Sequence, residues 1–110
     1  MTIKWVVSDP LVMNGEPFCY GTRLTVRNIL ELRRSGYTLT RMLKDHPELR
    51  RMGVAAAYAY AGRNRKRYAE FFESDGSLAG PGYSEAEADG LPSQYRIPGI
   101  VIKAMDRGPA

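Results

Sequence analysis

The first apolar residues of the chain alternate with polar ones. Ile3, Trp5 and Val7 fall on one side of an extended backbone, a spacing typical of a half-buried strand. A second short apolar run, residues 18–20, follows a turn-rich stretch. Because two strands this short are marginally stable alone in water, a helical layer or a second copy of the chain is expected to cover them. The side chains expected at a dimer contact within residues 1–24 are Ile3, Trp5, Val7, Phe18 and Tyr20.

From Thr25 onward, the spacing of the apolar residues changes to that of a helix. A first helix is predicted over residues 26–35, with Thr25 as its N-cap and an apolar face that includes the position of Arg33. A second, short helix over about residues 39–45 must end before Pro47, because the residue before a proline disfavours helical geometry.

A third helix is predicted to begin after Leu49, with an apolar stripe that continues to Phe72. The sequence leaves open whether Gly62, which costs up to about 1 kcal/mol relative to alanine, breaks it. Three helices with a short middle one match the layout of a helix-turn-helix unit, in which the third helix enters a groove of DNA.

The composition changes after Ser74 to glycine, proline, serine and acids, which is typical of a linker. However, residues 95–97 and 100–102 are again rich in apolar β-branched side chains, so this segment binds either its own core or another protein. The predicted fold is mainly α: a short N-terminal β segment, a three-helix, helix-turn-helix-like bundle over residues 25–73, and an extended C-terminal tail over residues 74–110.

Length and composition limit the possible classes of protein. With 110 residues, 44% of them hydrophobic, the chain has the size of one small domain. No run approaches the roughly 18 apolar residues that span a bilayer, and no secretory signal is visible. The single Cys19 excludes an internal disulfide. We therefore expect a soluble, cytoplasmic protein with no membrane partner.

Positive charge is concentrated in the middle of the chain. Residues 23–67 hold twelve Lys or Arg against three acids, whereas residues 68–110 hold three against seven. The overall charge of +4 therefore hides a strongly basic middle and an acidic tail, a pattern that favours a polyanion-binding body and a tail with another role. The basic run over residues 63–67 is compatible with phosphate contact, a solvated helix face or an acidic protein partner.

Basic side chains on and near the third helix are the candidates for contact with double-stranded DNA. Guanidinium groups in the major groove bridge guanine edges, and Lys or Arg elsewhere neutralise phosphates. The candidates are Arg27, Arg41, Arg50, Arg51, Arg63, Asn64, Arg65, Lys66 and Arg67. Tyr58 and Tyr60 could stack on bases, but their helical spacing beside alanines favours packing in a core or an interface.

Little in the sequence indicates an enzyme. The lone histidine, His46, precedes a proline at a helix end, where capping or turn packing is expected. Cys19 lies in an apolar run, which favours a buried and inert thiol. There is no glycine-rich loop that leads to a Lys-Ser or Lys-Thr pair, and the spacing of the acids does not require a metal. We expect no catalytic residue, no metal and no cofactor.

Residues 3–61 carry a resemblance to a known family. The pattern includes Asp9-Pro10, Gly21-Thr22-Arg23-Leu24, His46-Pro47-Glu48-Leu49 and Tyr60-Ala61. In these positions the chain resembles the bacterial domain-of-unknown-function family 433, of which the Gly-Thr-Arg step is the most recognisable motif. That family resembles VapB-type antitoxins, which implies a dimer, a helix-turn-helix-like bundle and a neighbouring PIN-like ribonuclease toxin. Where the family usually has acids at helix starts, this chain has Arg41, Arg50, Arg51 and Met52.

Charge and resemblance together lead to one functional hypothesis and one alternative. The hypothesis is a homodimeric, DNA-binding antitoxin and autoregulatory repressor of a type II toxin-antitoxin pair, whose tail neutralises a PIN-like ribonuclease. The expected toxin contacts, which would add an apolar anchor or an extra strand, are Tyr95, Ile97, Ile100, Val101 and Ile102. The alternative is an adaptor whose basic face binds an acidic protein without binding DNA.

Overall fold

The computed structural model describes residues 4–103. Within this range, two short strands precede four α-helices, and three short 3-10 helices lie between or after them. The strands are β1 (Val6–Val7) and β2 (Phe18–Cys19), and the helices are α1 (Val26–Arg34), α2 (Leu39–Asp45), α3 (Arg51–Arg63) and α4 (Glu85–Ala88). The predicted class, mainly helical with a short N-terminal β segment, is confirmed. Ile3 lies outside the described residues.

The two strands form an antiparallel hairpin with one face on the core. Val6 lies opposite Cys19, and Val7 lies opposite Phe18. Side chains alternate between the two faces of a strand. Because Cys19 is buried and Val6 packs against the core, Val7 and Phe18 belong to the outer face of the hairpin, and both are half-buried there.

Helices α1 and α2 begin at the threonines that the sequence predicted as caps. The Thr25 hydroxyl accepts a hydrogen bond from the Asn28 amide at 3.0 Å, and the Asn28 side chain accepts one from the Thr25 amide at 3.1 Å. The Thr38 hydroxyl accepts a bond from the Arg41 amide at 3.2 Å. These contacts satisfy backbone donors that have no partner inside a helix, which fixes both starting points.

Helix α3 is shorter than the apolar stripe predicted. It passes through Gly62 and ends at Arg63, where the side-chain amide of Asn64 donates to the Tyr60 carbonyl oxygen at 2.8 Å. A turn and a 3-10 helix at Ala69–Phe71 follow, so the apolar stripe that continues to Phe72 is not all on one helix. Gly62 does not break the helix; its missing side chain leaves room for Ile100, whose Cγ2 would lie 3.0 Å from a Cβ there.

Helix α3 is the central element of the fold. Every residue over 53–59 is buried, as is Ala61. Four alanines and a glycine in this stretch allow neighbouring elements to approach closely on several sides. The hairpin and α1 both contact α3, and the Trp5 ring lies 3.7 Å from the position of a Cβ on Gly53.

Residues 74–103, called the C-terminal segment below, also pack on α3. The buried Tyr83 ring meets the Tyr58 ring of α3 edge to face, with centroids 6.1 Å apart. The Tyr83 amide donates to the Val101 carbonyl at 2.9 Å, and the Leu78 amide donates to the Gly99 carbonyl at 2.9 Å. The apolar residues of this segment therefore bind the chain's own core.

A buried arginine joins the C-terminal segment to α1. Arg33 is fully buried, and its guanidinium donates to the carbonyl oxygens of Ile100 and, at 3.3 Å, Leu78. Its Cζ lies 4.5 Å from the centre of the Tyr58 ring. Within residues 4–103, no carboxylate forms an ion pair with Arg33. Burial lowers the pKa of the Arg33 guanidinium, and its interaction with Tyr58 opposes this shift.

Gly80 allows the C-terminal segment to touch the backbone of Arg33. Its φ is +99°, and a Cβ at this position would lie 2.0 Å from the Arg33 carbonyl oxygen, a contact that no small shift relieves. We predict that Gly80→Ala lowers the free energy of unfolding by about 3 kcal/mol or more, because both strain and overlap must be relieved. Urea unfolding measures this change.

Gly90→Ala is the matched control for Gly80→Ala. A Cβ on Gly90 would meet no heavy atom within 4 Å, and its φ lies outside the left-handed region. Its expected effect is within about 0.5 kcal/mol, as for most surface substitutions. Equal effects of the two substitutions would contradict a close approach at Gly80.

Candidate nucleic-acid interface

The burial of α3 is incompatible with its predicted role as a recognition helix. A helix that reads DNA needs one exposed face along which side chains reach base edges. Residues 53–59 of α3 have no such face in the folded chain. The expectation that α3 enters a groove along its length is therefore wrong, and only its two ends present basic side chains to solvent.

The first end of α3 carries Arg50 and Arg51, both predicted as DNA contacts. Arg51 is exposed but tied to the C-terminal segment: its guanidinium donates to the Glu87 carbonyl, and its own carbonyl accepts from the Tyr83 hydroxyl. Arg50 is exposed at the N-cap position and has no ion-pair partner within residues 4–103. Of these two described arginines, Arg50 is therefore the one whose charge remains available to a ligand.

The second end of α3 leads into residues 63–67, called the basic turn below. Arg67 pairs with Glu16 at 3.0 Å, a bond that raises the pKa of Arg67. Arg65 donates to the Gly76 carbonyl at 3.0 Å and lies over the Phe72 ring at 4.7 Å. Arg63 and Lys66 are exposed, and in the described part of the chain neither forms an ion pair. Asn64 caps α3 instead of facing a ligand.

The remaining predicted DNA contacts, Arg27 and Arg41, already have partners in the folded chain. Arg27 pairs with Glu70, donates to the Arg67 carbonyl at 3.1 Å and lies 5.3 Å from the centre of the Tyr68 ring. It therefore links α1 to the segment that follows the basic turn. Arg41 is more exposed, with Asp45 at 3.8 Å and the Tyr37 ring at 4.4 Å.

These positions separate the free cations into two groups. Helix α3 has 13 residues and Arg50 is its N-cap, so Arg50 and Arg63 lie about 20 Å apart along its axis at 1.5 Å per residue. Side chains that far apart cannot read neighbouring base pairs together. They are suited to phosphate contacts, which depend on charge and not on base sequence.

The predicted dimer contacts lie at the hairpin. Val7 and Phe18 lie on its outer face, and Tyr20 is 63% exposed. Trp5 lies against α3 at Gly53 instead. Sequence spacing missed Leu11, which is 94% exposed in the loop between the strands.

The predicted toxin contacts are less available than expected. Ile100 is 4% exposed and Val101 is fully buried, so neither can serve as a docking anchor while the C-terminal segment is packed. Tyr95, Ile97 and Ile102 are half-buried and pack against the same core. Ile100 and Val101 therefore do not form the apolar anchor for a toxin that the sequence predicts.

The two residues considered for catalysis lie in structural positions. Burial raises the pKa of the Cys19 thiol to about 12, and the thiol donates to the Gly53 carbonyl at 3.5 Å. His46 caps the end of α2 with its backbone amide, and its ring nitrogen lies 3.7 Å from Glu48.

Among the described residues, no three His, Cys, Asp or Glu side chains gather to hold a metal. No helix between residues 4 and 103 is long and apolar enough to cross a membrane.

One arrangement was not visible in the sequence. Trp5, Arg63 and Tyr95, which sequence reasoning assigned to three different partners, line one open pocket. They come from distant segments of the chain, so no local spacing connects them.

The comparison with known proteins gives one match. The family described as "Protein of unknown function (DUF433)" matches residues 6–61, just over half of the chain, from β1 almost to the end of α3. No curated protein and no solved structure matches the chain.

Proposed function

Because the chain belongs to the DUF433 family, we propose that it is a DNA-binding antitoxin and autoregulatory repressor that acts as a homodimer. The observation that carries the DNA-binding part is the basic turn. Arg63 and Lys66 are exposed there with no carboxylate partner in the described chain, and Arg65 is bonded only to a backbone carbonyl. Clustered, uncompensated cations are the features that bind phosphates and release counterions.

The proposed mode of binding is phosphate contact and not insertion of α3. The basic turn provides one group of contacts, and Arg50 provides another at the other end of α3. Because α3 is buried, sequence preference would come from DNA shape and from the spacing of the contacts.

The proposed dimer forms through the outer face of the hairpin. Val7 and Phe18 are half-buried there, and Tyr20 leaves a large apolar ring in solvent. A two-fold axis at this face would repeat the basic turn. Repeated contacts of this kind suit two half-sites of an operator.

The proposed contact with a PIN-like ribonuclease uses the acidic outer surface of the C-terminal segment. Glu85 and Asp89 are exposed there. Acidic side chains complement a cleft that binds RNA, and such complementarity raises association rates and fixes orientation.

The first test of this function is the affinity for duplex DNA at several salt concentrations. We predict that Lys66→Gln weakens binding to all sequences alike. It should also reduce the slope of log K against log salt by the amount that corresponds to about one phosphate contact. Lys103→Gln removes the same charge from an exposed position in the C-terminal segment and should leave both unchanged. Binding to an acidic protein, with no duplex binding at low salt, would favour the adaptor alternative.

The second test concerns the dimer. We predict that Tyr20→Asp shifts the protein from dimer to monomer in sedimentation equilibrium, because a charge would be buried at the centre of the contact. Leu11→Asp is the control, since Leu11 is also exposed and apolar but lies in the loop. A monomeric parent protein at micromolar concentration would contradict the proposed contact.

The third test concerns the ribonuclease. We predict that the intact chain co-purifies with a PIN-like ribonuclease encoded by an adjacent gene, and that a double Glu85→Lys, Asp89→Lys variant loses it. The exposed Glu31 of α1 gives a control charge reversal, Glu31→Lys, that should retain the partner. An adjacent gene of unrelated type would contradict this part of the proposal, as would undiminished recovery with the double variant.

A further inference from the structure

An open pocket of about 380 Å³ lies between the start of β1, α3 and the C-terminal segment. This volume is within the range of small-ligand sites, which combine apolar walls with a few polar groups. The lining residues are Lys4, Trp5, Val6, Ala56, Tyr60, Arg63 and Tyr95.

Three aromatic residues form much of the wall. Trp5 precedes β1, Tyr60 belongs to α3, and Tyr95 ends the 3-10 helix at Ser93–Tyr95. All three are half-buried, so part of each side chain remains accessible. The Tyr68 ring meets the Tyr60 ring at an interplanar angle of 65°, which helps to hold the Tyr60 ring in place. Accessible aromatic rings held by a scaffold are platforms for planar ligands.

Two cations complete the pocket. Lys4 and Arg63 are exposed, and no carboxylate lies among the lining residues. Arg63 is one helical turn after Tyr60, and its Cζ lies 6.0 Å from the centre of the Tyr60 ring. Within residues 4–103, neither cation forms an ion pair, in contrast to Arg67, whose charge is compensated by Glu16. The pocket therefore favours an anionic ligand.

We propose that this pocket binds one unpaired nucleotide, with its base against the aromatic side chains and its phosphate between Lys4 and Arg63. A free nucleotide and an unpaired nucleotide of a strand share this chemistry, whereas a base stacked inside a duplex does not expose its face. The site does not depend on duplex binding by the basic turn.

The only tryptophan of the chain, Trp5, lies in the pocket and reports on its occupancy. Its fluorescence is measured during titration with uridine monophosphate, a short oligothymidylate strand, a blunt duplex and inorganic phosphate. Saturable quenching by the oligothymidylate or by the mononucleotide is expected, and the stronger of the two identifies the source. Phosphate should leave the fluorescence unchanged. The blunt duplex shares the Arg63 contact but exposes no unpaired base, so it should not produce the saturable quenching seen with an unpaired nucleotide.

Variants separate the pocket from general electrostatic attraction. Arg63→Gln should raise the dissociation constant of the quenching ligand about tenfold, because it removes one charge-assisted contact. Lys103→Gln loses the same charge outside the pocket and should not change the dissociation constant. Tyr95→Ala should weaken binding and Tyr95→Phe should restore it, because stacking needs the ring and not the hydroxyl. Thermal unfolding checks that each variant remains folded.

Several outcomes would overturn the proposal. The first is the absence of quenching by both nucleotide probes. The second is an equal increase in the dissociation constant for Arg63→Gln and Lys103→Gln. The third is a Trp5 fluorescence that changes with protein concentration alone. The last outcome would mean that a second copy fills the pocket. Duplex affinity is measured separately, so loss of duplex binding with retained quenching would count against the proposed repressor only.

Discussion

A buried cation without a carboxylate partner in the described chain determines how the rest of this fold is arranged. An unpaired charge in a protein interior costs several kcal/mol unless surrounding dipoles replace its water. For Arg33 these dipoles are the Tyr58 ring and the carbonyl oxygens of Leu78 and Ile100. Two of these three groups belong to the C-terminal segment. The segment is therefore part of the same hydrophobic core as the bundle of residues 25–73.

The packing of the C-terminal segment limits which surfaces of the protein can contact a partner. Helices α1 and α2, the hairpin and the C-terminal segment all pack on α3, and a helix buried in this way cannot also present a reading face to DNA. The exposed basic side chains lie instead at the ends of α3. Arg50 is at the first end, and the basic turn follows the second end. Many of the other arginines already serve the fold: Arg27 links α1 to Glu70, and Arg51 holds the Glu87 carbonyl. A high count of basic residues thus overstated the number of available phosphate contacts.

The parts of the fold that sequence reasoning predicted correctly depend on local interactions. Thr25 and Thr38 begin their helices through hydrogen bonds to residues three positions away, which a sequence pattern contains. The end of α3 was missed because Tyr68 and Phe72 continue the apolar stripe after the helix has stopped. Arg33 was placed correctly on the apolar face of its helix, but its partners lie 45 and 67 residues further along the chain. No local pattern identifies such partners.

Local sequence patterns also fail to show which of the predicted site residues lie close together. Trp5, Arg63 and Tyr95 were assigned to three partners because each was interpreted with its neighbours in sequence, whereas the fold brings them to one pocket. Tyr95 reaches this pocket only because the C-terminal segment packs across α3. The family match ends at residue 61, before this segment begins. The C-terminal segment, which packs on α3 together with α1 and the hairpin, therefore also supplies an aromatic wall of the pocket, and a chain limited to the matched region would lack this wall.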